Sequence, residues 1–406
     1  MQERYLTRSI LRFCFESHKM AFVSGPRQCG KTTLAKFLLE NRPSGAYFNW
    51  DQHEFRKIWT KNPSTIVPVH SSGVPLIILD EIHKAKSWKR TLKGVYDTLE
   101  KPADILVTGS ARLNVYKKGG DSLLGRYYHF RLHPFSLKEM TSTDPADPRT
   151  MISRIFSRSL NGKKNDQANL ESLMKFGGFP EPLFSQNENK ARLWRMGRVE
   201  KVIREDLRDL SRIPELSRIE MLASLLPERV GSLFSMSSLR EDLEVSLQTI
   251  GRWLAFLKEL YYLFEIKPYH NHIVRSLKKE GKIYLWDWSE IENPASRFEN
   301  LIACHLLKLC HYWTDTGEGL FELSYLRDKE KKEIDFLVTK DKKPWLPVEV
   351  KISDIIPSPW WNKFLPQLRC REALQIVLKP GQWTIHSLGQ CRLLVASASE
   401  ILKYWI

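Results

Sequence analysis

The sequence predicts an α/β protein: a parallel-sheet core comes first, followed by a helical segment, a winged helix and a second α/β domain. Three observations carry that reading. Residues 76–80, "LIILD", form an uninterrupted apolar run, the pattern of a strand covered on both faces of a parallel sheet, and "DILVTG" at 104–109 reads as a further strand. A glycine-rich turn in "AFVSGPRQCGKTTLAKFLL" separates a short apolar strand from a helix. Near the other end, "EIDFLVTKDKKPWLPVEVKIS" reads as two strands around a lysine-rich turn. Ile334, Phe336 and Val338 share one face of that hairpin, as do Val348, Val350 and Ile352, which leaves Glu333, Asp335, Glu349 and Lys351 on the other.

Composition bounds the rest. The chain has 406 residues, 42% of them hydrophobic and 27% charged. That is ordinary for globular protein and long enough for about two to four domains. No apolar run reaches the roughly 18 residues of a membrane helix, so no membrane partner is expected. "MQERYLTRSILRF" scatters charge through its length and does not read as a secretory signal. Six dispersed cysteines give no disulfide framework and fit a reducing, cytoplasmic setting. Cys304 and Cys310, each followed by histidine, are six residues apart in an expected helix and fall on different faces, which argues against zinc. A net charge of +16 favours a polyanionic partner.

The turn after the first strand has the spacing G-x-x-x-x-G-K-T, with Gly25, Gly30, Lys31 and Thr32. Glycines let backbone N–H groups turn inward around phosphates, and the following helix adds partial positive charge. Residues Gly25, Pro26, Arg27, Gln28, Cys29, Gly30, Lys31, Thr32 and Thr33 would cradle ATP, with Lys31 on the outer phosphates and Thr32 on Mg²⁺. The "LIILDE" run ends in Asp80, placed to hold the same Mg²⁺, and in Glu81, placed to activate the attacking water. The strand "DILVTGSARL" ends in Thr108, Gly109 and Ser110, polar enough to sense a γ-phosphate.

These motifs resemble the AAA+ class of P-loop ATPases. Together with "GRYYHFRLHPFSLKE", "GGFPEP", "RFENL" and "EIDFLV…VEVK", they resemble the bacterial and archaeal AAA-type ATPases that carry a nuclease-like C-terminal domain. The resemblance covers nearly the whole chain. It implies a sensor at Thr108 or Ser110 and an arginine finger at Arg126, of the kind often supplied to a neighbouring subunit of a homo-oligomer. A surface arginine packed on Tyr127 or Tyr128 is the competing reading of Arg126. Arg204 is a weaker candidate for a second sensor.

Loop signals in "TSTDPADPRT" and "SLNGKKNDQANLES" bound the core. The expected division is 1–140 for the ATPase core, 141–230 for linker and helical lid, 231–290 for the winged helix and 291–406 for the nuclease-like domain. In the third part, Leu239 and Leu243 line one short helix, and Ile250, Leu254 and Leu257 line the next. Two short helices at a tight turn suggest a helix-turn-helix, with Gln248, Thr249 and Arg252 offered to DNA. The hairpin after them carries Arg275, Lys278, Lys279 and Lys282, a basic wing suited to a phosphate backbone.

The last part resembles the PD-(D/E)xK nuclease-like fold. Asp335, Glu349, Lys351 and Glu299 match its motif positions, although Ile334 stands where the motif has proline. The resemblance implies a metal on Asp335 and Glu349, completed by Glu299, with Lys351 beside a phosphate. A solvated, charged strand face is the plain alternative. The expected function is an ATPase that binds and remodels DNA, the other course being an ATP-gated switch that docks a partner without cutting.

Overall fold

The computed structural model describes residues 3–68, 73–109, 123–142, 147–157, 164–202, 216–269 and 280–406. The chain divides into two compact units, Met1–Pro134 and Phe135–Ile406.

The first unit is built on β1 (Met20–Ser24), β2 (Gly45–Asn49), β3 (Leu76–Asp80), β4 (Asp104–Gly109) and β5 (Tyr127–Arg131), ordered β2-β3-β4-β1-β5 and parallel throughout. Strands β1, β3 and β4 are buried along their whole length, as uninterrupted apolar runs require. Helix α1 (Lys31–Glu40) packs on β2, β3 and β4. Helices α2 (His53–Lys61) and α3 (Trp88–Asp97) contribute Phe55, Trp59, Trp88 and Leu92 to a cluster with Phe22, Ile77, Leu79 and Val107. Burying each such side chain contributes roughly 1.5–3 kcal/mol. The chain leaves β1 toward β2 and leaves β4 toward β5, on opposite sides. The strand order therefore reverses beside β1, where open α/β sheets place their ligands at the carboxyl ends of the strands.

The second unit opens with helices α4 (Pro148–Phe156), α5 (Lys164–Phe176), α6 (Pro180–Ser185), α7 (Glu188–Glu200) and α8 (Leu216–Leu225). Then come α9 (Met236–Leu243) and α10 (Leu247–Glu259), the expected pair of short helices. Glu244 takes a left-handed φ of +53° between them, and the Ser246 hydroxyl caps α10 by accepting from the Thr249 N–H at 3.1 Å. Leu239, Leu243, Ile250, Leu254 and Leu257 are buried as their spacing requires, and Trp253 joins them.

Strands β6 (Leu263–Pro268) and β7 (Lys282–Leu285) form the expected antiparallel hairpin. Its connection carries Arg275, Lys278 and Lys279, which lie outside the described residues, as do Ser110 and Arg204. The hairpin is not a free wing. β6 pairs in parallel with β8 (Phe321–Arg327), through Lys267 with Ser324 and Pro268 with Tyr325. This joins it to β9 (Glu333–Lys340), β10 (Lys343–Lys351), β11 (Glu372–Val377), β12 (Trp383–Leu388) and β13 (Cys391–Ser397) in an eight-stranded sheet ordered β12-β13-β11-β10-β9-β8-β6-β7. The parts expected as lid, winged helix and C-terminal domain thus share one compact unit.

The β9–β10 hairpin turns on Asp341 and Lys342, with φ of +50° and +66°. Two successive left-handed residues match the right-handed twist of the strands they join. Ile334, Phe336, Val338 and Val348 are buried, as are Leu337 and Glu349, but the expected alternation is broken. The β8–β9 register shifts between Ser324 and Leu326, so that Ile334 falls in one cluster with Leu337, and Ile352, just past the end of β10, is exposed. Both faces are covered: Trp361 and Phe364 of α12 (Trp361–Leu368) pack on Ile334 and Leu337, while α11 (Pro294–Asp315) packs along β7 to β10. The Asn293 side chain caps α11 by accepting from the N–H groups of Ala295 and Ser296. No described helix is long and apolar enough to cross a membrane.

Candidate functional site

The site of the first unit grows from the sheet register. Asp80 ends β3, and Thr108, its register partner, lies near the end of β4. A parallel pairing of this kind brings two polar side chains together at one carboxyl edge. The Thr108 hydroxyl donates to Asp80 Oδ1 at 2.6 Å. The Thr32 hydroxyl, from the first turn of α1, donates to Asp80 Oδ2 at 2.9 Å, and the Tyr47 hydroxyl, from β2, donates to the same oxygen at 2.7 Å. Asp80 is only 3% exposed, so this carboxylate is held almost entirely by hydroxyls. Burial and the Asp80 bond push the Tyr47 phenol up to about 12.

Beside it, the loop from Gly25 to Gly30 depends on backbone that other residues resist. A Cβ at Gly25 would stand 2.2 Å from the Leu132 carbonyl oxygen. Gly30 takes φ +98°, a left-handed value that lets the chain turn directly into α1. The Lys31 ammonium, 7% exposed, donates to the carbonyls of Gly25 and Pro26 at 3.0 and 2.7 Å and so lies along the loop. Arg27 is half-buried, Gln28 and Thr33 are exposed, and Cys29 is buried against the Leu132 carbonyl. Glu81 follows Asp80 with a left-handed φ of +58°, and its backbone N–H donates to the Thr108 carbonyl at 2.9 Å. Burial raises the Glu81 carboxyl above the usual range, against the opposing pull of Lys31, Lys84 and Arg27.

These residues fit a nucleoside triphosphate with Mg²⁺. The glycine cradle has no space for a side chain at Gly25, and Thr32 and Asp80 place two hard oxygen donors together.

Three contributors have no motif in the sequence. Arg4, 3% exposed, donates to the carbonyl of Cys29 in the loop at 2.7 Å and to that of His133 at 2.6 Å. Tyr5 donates to the Arg131 carbonyl at 2.6 Å and accepts from the His133 N–H at 3.1 Å. His129 on β5 meets the Ser24 hydroxyl at 2.9 Å, and burial holds its imidazole down at about 3, hence neutral. The partners are more than a hundred positions apart in four of these five contacts, so no local pattern announces them. Replacing Arg4 with alanine strands two carbonyls, at roughly 1–3 kcal/mol for each buried group left unsatisfied. Arg4→Ala is expected to lower the melting temperature and to weaken fluorescent-nucleotide binding, both read on the full-length chain.

Arg126 lies away from this cluster. Its guanidinium forms a two-pronged pair with Asp97 at 2.6 and 2.9 Å on the exposed end of α3. The guanidinium also donates to the Leu124 carbonyl at 3.3 Å.

In the second unit, Asp335 and Glu349 stand on adjacent strands. The Asp335 N–H donates to Glu349 Oε2 at 3.3 Å, and the Val350 N–H donates to Asp335 Oδ2 at 2.8 Å. Lys351 pairs with Glu349 Oε1 at 2.7 Å. Glu299, on α11, accepts from the Tyr284 hydroxyl at 2.8 Å and faces Lys282 at 3.7 Å. The strand face is only partly solvated: Glu349 is 2% exposed, while Glu333, Asp335 and Lys351 are half-buried. Burial, reinforced by Asp335, pushes Glu349 up to about 8 and Glu299 up to about 7. Among the described residues no three histidine, cysteine or carboxylate side chains are grouped to hold a metal ion. Asp335 and Glu349 are neighbours, with Glu299 on the facing helix, without such a grouping. Lys282, expected on a solvent-facing wing, is buried and paired with Glu333.

On α10, Gln248 and Arg252 are exposed and Thr249 is half-buried at the capped end.

Comparison with known proteins follows this division. Residues 17–141 match the AAA domain. Residues 167–289 and 296–386 match two families described as domains of unknown function, DUF8612 and DUF4143. An uncharacterised protein of Haemophilus influenzae is 21% identical over 345 residues, 78% of this chain and 79% of its own. One of Mycobacterium tuberculosis is 24% identical over 354 residues, 84% of this chain and 73% of its own. Among solved structures, a Walker-type ATPase of Pyrococcus abyssi aligns with a TM-score of 0.43 and 15% identity, over 73% of this chain and 95% of that one.

Proposed function

We propose that the chain is an ATPase that acts on DNA. The observation that carries the first half is the Asp80 carboxylate, gripped by Thr32, Tyr47 and Thr108 beside the glycine loop. ATP would lie on the backbone of residues 25–33, with Lys31 on its outer phosphates and Thr32 and Asp80 on Mg²⁺. Bound Mg²⁺ supplies charge neutralisation on the phosphates. Glu81 orients the attacking water and accepts its proton, and the raised affinity for protons that burial gives it suits that task. Thr108, or Ser110, reports the γ-phosphate to the sheet. Arg126 stands on an exposed edge, where it would complete the site of a second copy in a homo-oligomer.

DNA is supported by the net charge of +16 and by the exposed Gln248 and Arg252 on α10, with Arg275, Lys278 and Lys279 in the adjoining hairpin connection. Phosphate contact predicts steep salt dependence, each phosphate contact adding about one to the log–log slope. Binding to short duplex DNA is expected to weaken steeply with added salt, and the slope to fall by about two when Lys278 and Lys279 become alanine. A flat salt response would remove the wing from the DNA-binding surface.

The decisive measurement is the ATPase rate with and without single-stranded, duplex and four-way-junction DNA. Stimulation supports a DNA-remodelling motor. Nucleotide-dependent assembly in analytical ultracentrifugation without stimulation supports a switch that docks a partner, a reading favoured by the burial of Glu349.

A further inference from the structure

The carboxylates of the second unit already have a cation among them. Lys282 opens β7, the second strand of the hairpin, and is 3% exposed. Its ammonium pairs with Glu333 on β9 and stands 3.7 Å from Glu299 on α11, above the Tyr325 ring at 5.5 Å from the ring centre. Glu333 is also held by Arg327 of β8 at 2.8 Å. Asp335, two residues along β9 from Glu333, lies on the same strand face and within electrostatic reach of the same ammonium. Backbone also packs closely on Glu299: a Cβ at Gly231 would stand 2.9 Å from its Oε1.

The position of Lys282 is set by backbone, not by a flexible reach. Residue 282 pairs with Ile266 of β6, and on its other side it bridges Leu233, with the Phe234 N–H donating to the Gly281 carbonyl at 3.0 Å and the Gly231 N–H to the Ile283 carbonyl at 3.2 Å. A buried ammonium is tolerated only when carboxylates surround it, and buried carboxylates only when a cation does.

We infer that Lys282 is the resident cation of the Glu299–Glu333–Asp335 cluster, taking the place of the divalent metal that the nuclease-like motif implies. The cluster then works as an ion clamp joining hairpin, sheet and helix α11, and the domain does not cut nucleic acid by a metal-dependent route. A divalent ion would have to displace an ammonium paired with Glu333 and facing Glu299, on a residue whose backbone is paired on both sides. Without Lys282, three carboxylates from two elements would face one another with one fewer positive charge, and an added divalent cation would be drawn in.

Mn²⁺ binding tests this on the full-length chain, without nucleotide so that the first unit's Mg²⁺ chemistry is read separately. Free Mn²⁺ is followed by electron paramagnetic resonance, and thermal melts are recorded with and without the metal. The wild-type chain is expected to show no Mn²⁺ site that Asp335→Asn removes. Lys282→Ala is expected to melt at a lower temperature, to gain one Mn²⁺ site, to recover melting temperature on Mn²⁺ addition, and to lose that recovery when Asp335→Asn is added. If Lys282→Ala does not fold, Lys282→Met keeps most of the side-chain length, removes the charge while leaving all three carboxylates, and is expected to give the same gain. A wild-type site lost in Asp335→Asn, Mn²⁺-dependent plasmid nicking lost in the same variant, or no gain of Mn²⁺ in either Lys282 variant would overturn the inference.

Discussion

Lys31→Ala and Glu81→Gln are each expected to abolish ATP hydrolysis, but only the first to impair nucleotide binding strongly. Lys31 lies on the loop that would hold the phosphates, with its ammonium already fixed against the carbonyls of Gly25 and Pro26. A charge-assisted hydrogen bond is worth about 1.5–3 kcal/mol, so its loss should weaken ATP binding by about tenfold to more than a hundredfold. Glu81 is different. Its backbone is fixed by the Thr108 carbonyl, and its side chain lies near Lys84 and His83, at 3.6 Å from each, rather than on the glycine loop. A glutamine keeps the shape and removes the base, which should cost about 10²–10⁴-fold in rate while affinity stays near wild type. Nucleotide titration by fluorescence and a steady-state phosphate-release assay separate the two. Equal loss of binding in both variants would undo the division of roles.

The second large effect is on stability. Glu139→Ala should destabilise the second unit by about 3–5 kcal/mol, the usual cost of stranding one member of a buried ion pair. Lys308, in the middle of α11, is 2% exposed, and Glu139, just after the start of the unit, is fully buried. Lys308 also donates to the Ser136 hydroxyl at 3.1 Å, while the Leu137 N–H donates to the neutral ring of His305 one turn before it, at 3.2 Å. The segment 135–140 is therefore held by buried polar contacts, and each depends on the others. Urea denaturation followed by tryptophan fluorescence reads the effect. Glu139→Ala combined with Lys308→Met should recover part of the loss, because no unpaired charge then remains buried. A single variant as stable as wild type would mean that the pair is solvated.

How much of this was legible depended on distance along the chain. The glycine loop, the acidic end of β3, the α9–α10 pair and the β9–β10 hairpin could be read because each is a short pattern with a local physical cause. A left-handed glycine, an uninterrupted apolar run, or an alternation of period two leaves its mark within a few residues. The grouping of Thr32 with Asp80 was equally legible, since a strand–turn–helix beside a strand ending in aspartate fixes both.

The rest follows from which segments lie side by side, and the sequence holds no local mark of that. Arg4 reaches residues 25 and 129 positions away, and Lys282 finds Glu333 only because the hairpin is paired into the sheet through β8. Lysine in a basic stretch reads as a solvent-facing wing, and acidic residues on one strand face read as metal ligands or as solvated surface. Folding brings the two together. The sequence alone determined a nucleotide-type loop in an α/β core and the elements that follow it. Only the tertiary structure decided which charges are buried and which partners they find, because the energy of a buried charge depends on what surrounds it in space.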